Sequence, residues 1–221
     1  MSPASLPPGY FEKLYADNSD PWQFETRWYE QRKYALTLAA LPRRQYRRAL
    51  EPGCSNGVLS QQLAGRCDRL VATDVVESAL ARARERVAGT GVECRNWALG
   101  SEWTLGTFDL IVLSEVCYYL DAESLVRAMQ AVTANLADGG TLLSVHWRHP
   151  VAEYPLSGDA VHAILCATPG LTRVGGYIDP DMRIDVHTTI GSWASVAAEE
   201  GLDGADVSAD GASRDDQLRN R

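Results

Sequence analysis

Up to Pro42 the chain stands apart in its density of aromatic positions, and from Arg48 onward short apolar strands alternate with amphipathic helices. Glu25–Leu41 reads as a helix that ends at Pro42, preceded by a turn at Asp20-Pro21-Trp22 that sets an indole in a fixed place. Ala49–Glu51, Arg69–Thr73, Val92–Trp97, Phe108–Leu113 and Thr141–Trp147 read as five strands. Between them, helices are expected through Val58–Leu63, over Ser78–Val87, and from an Asp121 cap through Leu136, the last stopped by Gly139-Gly140. The unbroken Leu-Ile-Val-Leu run at 110–113 indicates a strand buried on both faces. Leu171–Ile178 and Met182–Thr189, joined by Asp179-Pro180-Asp181, read as a closing hairpin. The fold predicted is α/β: a doubly wound, seven-stranded, mostly parallel sheet whose last strand is antiparallel. Residues 1–42 are expected to form a helical lid and 43–200 the main domain. A tail over 201–221, rich in Asp, Gly, Ala and Ser, is expected to be disordered.

Charge and composition narrow the function. The 221 residues carry 29 acidic and 21 basic side chains, a net charge of −8, which disfavours a nucleic-acid substrate because phosphate tracking needs a basic face. No apolar run exceeds five residues, so no membrane span is expected, and the first ten residues do not read as a signal peptide. Five scattered cysteines without a C-x-x-C pair argue against a zinc cage or a disulfide framework and fit reduced thiols in a cytoplasm. Eight of the 18 aromatic residues lie between Tyr10 and Tyr34, ahead of the first strand. They read either as helix packing or as a lid carrying Trp22 and Tyr29 over a ligand.

In an open α/β sheet the ligand sits beyond the carboxyl ends of the strands. The first such end is Glu51-Pro52-Gly53-Cys54-Ser55-Asn56-Gly57, a glycine loop in which Gly53 lets the backbone turn and Gly57 lets the helix approach a ligand. Asp74 ends the next strand, 21 residues after Gly53, where a carboxylate can accept both ribose hydroxyls of an adenine nucleoside. A tight turn with a capping Asp would also account for it. The loop departs from G-x-G-x-x-G, and Glu51 would repel a pyrophosphate while suiting a cation, which favours S-adenosylmethionine over NAD. Ser114-Glu115 and His146-Trp147-Arg148 close the fourth and fifth strands, and His162 begins a helix expected to roof the pocket. Glu115 could face an acceptor, or cap a turn or pair with an Arg. His146 could be a base or a hydrogen-bonded structural group.

The motifs E-P-G-C-S-N-G, Asp74, F-D-L-I-V-L-S-E (108–115) and G-G-T-L-L (139–143) resemble, in order, those of class I S-adenosylmethionine-dependent methyltransferases. D-P-W (20–22), Y-E-Q-R-K-Y-A-L-T-L-A-A-L-P (29–42), S-E-V-C-Y-Y-L (114–120), V-H-W-R (145–148) and Y-P-L-S-G-D-A-V-H (154–162) resemble more narrowly the NodS-like methyltransferases. The resemblance implies S-adenosylmethionine as cofactor, held by Trp22, Tyr29, Glu51, Gly53, Cys54, Ser55, Gly57, Asp74, Val75 and Ser114. Many class I enzymes place an acidic residue after strand three; this chain has Arg95-Asn96-Trp97-Ala98-Leu99, which leaves adenine to the backbone near Ala98 and to Trp97. It further implies methyl transfer to the amine of an amino sugar or oligosaccharide, with Glu115, His146 and His162 as candidate catalytic groups. Two other readings stay open at this point: O-methylation of a small molecule, and a non-catalytic protein that only binds S-adenosylmethionine.

Overall fold

The computed structural model describes residues 4–189 and 195–202. At its centre lies β4 (Phe108–Ser114), whose residues are buried on both faces except at the exit. Around it β1 (Ala49–Pro52), β2 (Leu70–Asp74), β3 (Val92–Asn96), β5 (Leu136–Trp147), β6 (Leu171–Ile178) and β7 (Met182–Thr189) complete one sheet. The strand order is β3-β2-β1-β4-β5-β7-β6. Pairings among β1 to β5 are parallel, while β7 runs antiparallel between β5 and β6. This is the predicted seven-stranded, doubly wound sheet, and the Asp179–Asp181 turn joins its final hairpin. The hairpin folds back so that its second strand, not its first, pairs with β5.

Side-chain parity along the strands sorts the two cores. Ile111 and Leu113 pack with α5 (Ala122–Ala134) and α6 (Gly158–Cys166) through Leu125, Met129, Val132, Val161 and Leu165. Leu110 and Val112 face the other way, onto Leu59 and Leu63 of α3 (Val58–Ala64) and Tyr34 of α2 (Trp28–Ala40). Ala72 packs against Leu80 and Ala83 of α4 (Glu77–Arg86). A short helix, α7, spans Val196–Glu199. None of the helices among the described residues is long and apolar enough to cross a membrane.

Three boundaries differ from the sequence reading. Helix α5 stops at Ala134, where the Asn135 amide donates to the Ala131 carbonyl at 2.9 Å, and Leu136 already belongs to β5. Leu136 fits the helical period and is buried in the same core, so spacing alone could not separate the two states. Gly139 (φ +67°) lies in a bulge within β5, where the register jumps from Phe108↔Leu136 to Leu110↔Thr141. An unanticipated helix, α1 (Pro8–Asp17), precedes the aromatic turn, with Pro8 at a first-turn position that needs no N–H donor. The tail expected at 201–221 falls, after Leu202, outside the described residues.

Both N-terminal helices are tied to the main body. Arg32 of α2 donates to Asp179 at 2.7 Å and to Tyr177 at 2.6 Å, and Leu6 N–H donates to the Tyr119 carbonyl at 2.8 Å. Arginines of the 43–48 segment serve as loop ties: Arg43 donates to the Gly139 carbonyl and Arg48 to that of Leu105, each at 2.7 Å.

Candidate functional site

The carboxyl ends of β1, β2 and β4 and the exit of β5 open into a cavity of about 690 Å³. Of the residues proposed from sequence, Trp22, Tyr29, Glu51, Gly53, Cys54, Ser55, Asp74, Val75, Trp97, Ala98, Ser114 and Glu115 line it. Gly57, His146 and His162 do not.

The glycine loop is held by short-range geometry. Gly53 (φ +73°) and Ser55 (φ +51°) turn the chain, and the Cys54 N–H donates to the Thr73 carbonyl at 2.8 Å. Asp74 accepts from the backbone N–H groups of Ser55 (2.9 Å) and Val76 (3.0 Å), so it clamps the loop to the end of β2. The same carboxylate residue lines the cavity. Glu51 accepts from the Ser60 hydroxyl at 2.5 Å. Burial pushes its carboxyl up to about 8, against the Ser60 hydrogen bond. Gly57 serves the fold rather than a ligand: a Cβ there would stand 3.0 Å from the Ala83 backbone, so its bareness lets the loop close onto α4. Trp97 meets Trp103 edge-on at 5.5 Å and donates from its indole to the Glu102 carbonyl at 3.0 Å.

At the exit of β4, Glu115 takes a left-handed backbone (φ +55°) that is costly for a side-chain-bearing residue. Three donors surround its carboxylate. Lys33 Nζ lies 2.9 Å from Oε1, and the Tyr118 hydroxyl (2.5 Å) and Trp147 N–H (3.0 Å) donate to Oε2. Lys33 reaches this point from α2 with its side chain 1% exposed, also pairing with Glu30 at 2.8 Å. The rings of Tyr29 and Tyr34 stand 5.3 and 5.5 Å from its ammonium. Burial pulls the Lys33 ammonium down, but the two carboxylates outweigh it and hold it above its ordinary value.

Glu115 and His146, both candidate catalytic groups from the sequence, do not face one space. His146 is fully buried on the opposite face of β5 from Trp147, toward α6. Its Nε2 accepts from the Cys117 N–H at 3.3 Å and its Nδ1 faces His162 Nε2 at 3.2 Å; His162 Nδ1 in turn faces Asp185 at 2.7 Å. Burial, reinforced by His162, lowers the His146 pKa well below its ordinary value. Both ring nitrogens of each histidine are engaged, so neither imidazole has a lone pair for a ligand in the cavity. His162 of α6 is thus a buried strut rather than a pocket roof.

Sequence reasoning did not single out Tyr15, Glu30, Lys33, Asn56 and Tyr118 as site residues, yet all line the cavity. The Tyr15 hydroxyl, from α1, contacts the Ser55 hydroxyl above the glycine loop. Glu30 and Lys33 look in sequence like an ordinary exposed i,i+3 pair. One signal was available: Lys33 is one of two lysines among 21 basic residues, and it sits in a helix thick with aromatics.

A family model described as Nodulation protein S (NodS) matches residues 11–154, more than half of the chain. Nodulation protein S of Sinorhizobium fredii (strain NBRC 101917 / NGR234) is 34% identical over 129 residues, 56% of this chain and 59% of that protein. The chain therefore spans under two thirds of the length of the curated relatives it matches. Among solved structures, N-methyltransferase NodS from Bradyrhizobium japonicum WM9 in complex with S-adenosyl-L-homocysteine is 25% identical with a TM-score of 0.72, covering 83% of this chain and 98% of that one. A Pseudomonas syringae protein provisionally described as a methyltransferase is 45% identical with a TM-score of 0.65, covering 73% of this chain and 99% of the other. The sheet order, the glycine loop clamped by Asp74 and these matches agree: the chain belongs to the nodulation protein S family.

Proposed function

We propose that this protein transfers a methyl group from S-adenosylmethionine to the free amine of an amino sugar or of an oligosaccharide carrying one. The observation that carries the reading is the charge of the cavity wall. Glu30, Asp74, Glu115 and Asp181 line it against the cations Arg27 and Lys33, and Glu51 can ionise beside a bound cation, so it favours cationic ligands. A sulfonium donor and an amine acceptor are both of that kind, whereas a hydroxyl acceptor gains nothing from such a wall. The solved relative named as an N-methyltransferase, with S-adenosyl-L-homocysteine bound, supports the same reading.

The residues present fit the cofactor. Among the described residues, the Asn56 Oδ1 and Tyr29 hydroxyl are buried without a partner, and both belong to the cavity lining, as polar atoms awaiting a ligand do. Glu51 and the loop Gly53–Asn56 would hold the amino-acid end, Asp74 the ribose hydroxyls, and Trp97 with Ala98 the adenine. When bound, S-adenosylmethionine supplies a methyl group on a positively charged sulfur, ready for in-line attack. The protein orients the acceptor, excludes water through Trp22, Tyr29 and α1, and keeps a fixed anion at Glu115 opposite the reacting charge. Purified protein incubated with S-adenosylmethionine and de-N-acetylated chitobiose should add one methyl group to the amine, read by mass spectrometry and fragmentation. Methylation confined to a hydroxyl, or cofactor binding without turnover, would overturn the proposal.

A further inference from the structure

Removing a proton from the acceptor is the one acid–base demand of amine methylation, because an ammonium has no lone pair for attack. With His146 and His162 off the cavity, the carboxylates lining it away from the glycine loop are Glu30, Glu115 and Asp181, beside the cavity tyrosines and Lys33; Asp181 is half exposed and pairs with His149 at 2.8 Å. Glu115 is an anion already served by three donors from α2, the β4 exit and β5. Burial raises the phenols of Tyr29, Tyr34, Tyr118, Tyr119 and Tyr154 above their ordinary value, so they keep their protons, and Lys33 keeps its own. Glu30 differs. It sits in the first turn of α2, is 5% exposed, lines the cavity, and has the Lys33 ammonium at 2.8 Å as its ion-pair partner.

We propose that Glu30 is the proton acceptor for the substrate amine, with Lys33 bridging it to Glu115 and fixing its carboxylate at the wall of the cavity. This rests on the reading of the site as an amine methyltransferase. The ammonium of the substrate gives one proton to the Glu30 carboxylate and becomes a neutral amine. Its nitrogen lone pair then forms the N–C bond as the C–S bond breaks, leaving that electron pair on sulfur. The methylated ammonium departs, and Glu30 releases its proton to solvent, so one proton is produced per turnover. The groups facing Glu30 are Lys33 and Tyr34 of its own helix and Glu115 at the exit of β4. Burial raises its carboxyl, opposed by Lys33 and reinforced by Glu115, which is the direction a base near neutral pH requires.

The test is the pH–rate profile of Glu30→Gln and Glu30→Asp beside wild type, with de-N-acetylated chitobiose as acceptor and cofactor affinity measured by calorimetry. Glu30→Gln should lower kcat/KM at pH 7 by about 10²- to 10⁴-fold with cofactor affinity unchanged. The deficit should shrink as pH rises toward the amine's own pKa, where the acceptor arrives deprotonated. Glu30→Asp should keep part of the rate and the wild-type profile shape. If wild type methylates the amine and Glu30→Gln matches it at every pH, Glu30 is not the base. A deficit that stays constant at alkaline pH also overturns the role, since it marks lost positioning of Lys33. If wild type methylates no amine, the functional reading itself falls, and this role with it.

Discussion

His146 Nδ1 lies 3.2 Å from His162 Nε2, inside a buried line that runs from Asp185 on β7 to the Cys117 N–H beside the cavity. Because His146 accepts from Cys117, its own proton sits on Nδ1 and points at His162, whose Nδ1 proton then points at Asp185. The arrangement is satisfied only while His146 is neutral.

That yields a stability prediction with a definite sign. The folded pKa of His146 is depressed, so unfolding takes up a proton once pH falls below the unfolded value of about 6.5. Its contribution is complete above that pH and is lost as pH falls, at up to about 1.4 kcal/mol per pH unit. His146→Ala should be less stable than wild type at pH 7.5 by at least about 1–3 kcal/mol, because the Cys117 N–H loses its acceptor. The gap should narrow toward pH 5 in urea titrations. A gap that widens on acidification would contradict the neutral assignment.

Glu51 should couple cofactor binding to pH. Its carboxyl, pushed up to about 8 by burial, is largely protonated at pH 7 in the free protein, and a cationic ligand beside it favours the ionised form. Binding therefore releases a proton, and affinity rises with pH, by at most about tenfold per unit below pH 8, then levels off. Calorimetry in buffers of different ionisation enthalpy at pH 7 should detect the released proton, and Glu51→Gln should abolish it.

Cofactor-dependent ordering should be confined to the first part of the N-terminal segment. Helix α2 buries Lys33, Tyr34 and Thr37, whereas α1 buries Tyr15 alone and meets the glycine loop through it. Hydrogen exchange should slow on adding S-adenosylmethionine over residues 8–24 and change little over 33–40. Equal slowing across both would make the whole segment a lid.

Gly57→Ala should destabilise the protein by about 1–3 kcal/mol in thermal or urea unfolding, since the new methyl must displace the Ala83 backbone from a position with φ +78°. A neutral effect would show that the loop and α4 separate at no cost.

Strand periodicity and turn chemistry carried the sheet: the five parallel strands, the final hairpin and the Asp121 cap, whose carboxylate accepts from Ser124 N–H at 2.9 Å, were all readable locally. So was the glycine loop with Glu51 and Asp74, because strand ends in such a sheet lie on one rim whatever the helices do. The parity of β5 was readable too, with His146 and Trp147 pointing opposite ways. Which of the two faces meets the cavity was not, because that depends on what packs there. Helix α6 covers the His146 side and seals it, while α2 leaves a cavity on the Trp147 side, where Tyr29 meets the indole edge-on at 4.9 Å. The same limit hid Glu30 and Lys33. In sequence they are a helical ion pair free to face water; docking α2 onto the exit of β4 buries them beside Glu115, 82 residues away from Lys33. Burial of a charge is a property of the assembled surfaces, and local sequence holds no record of it.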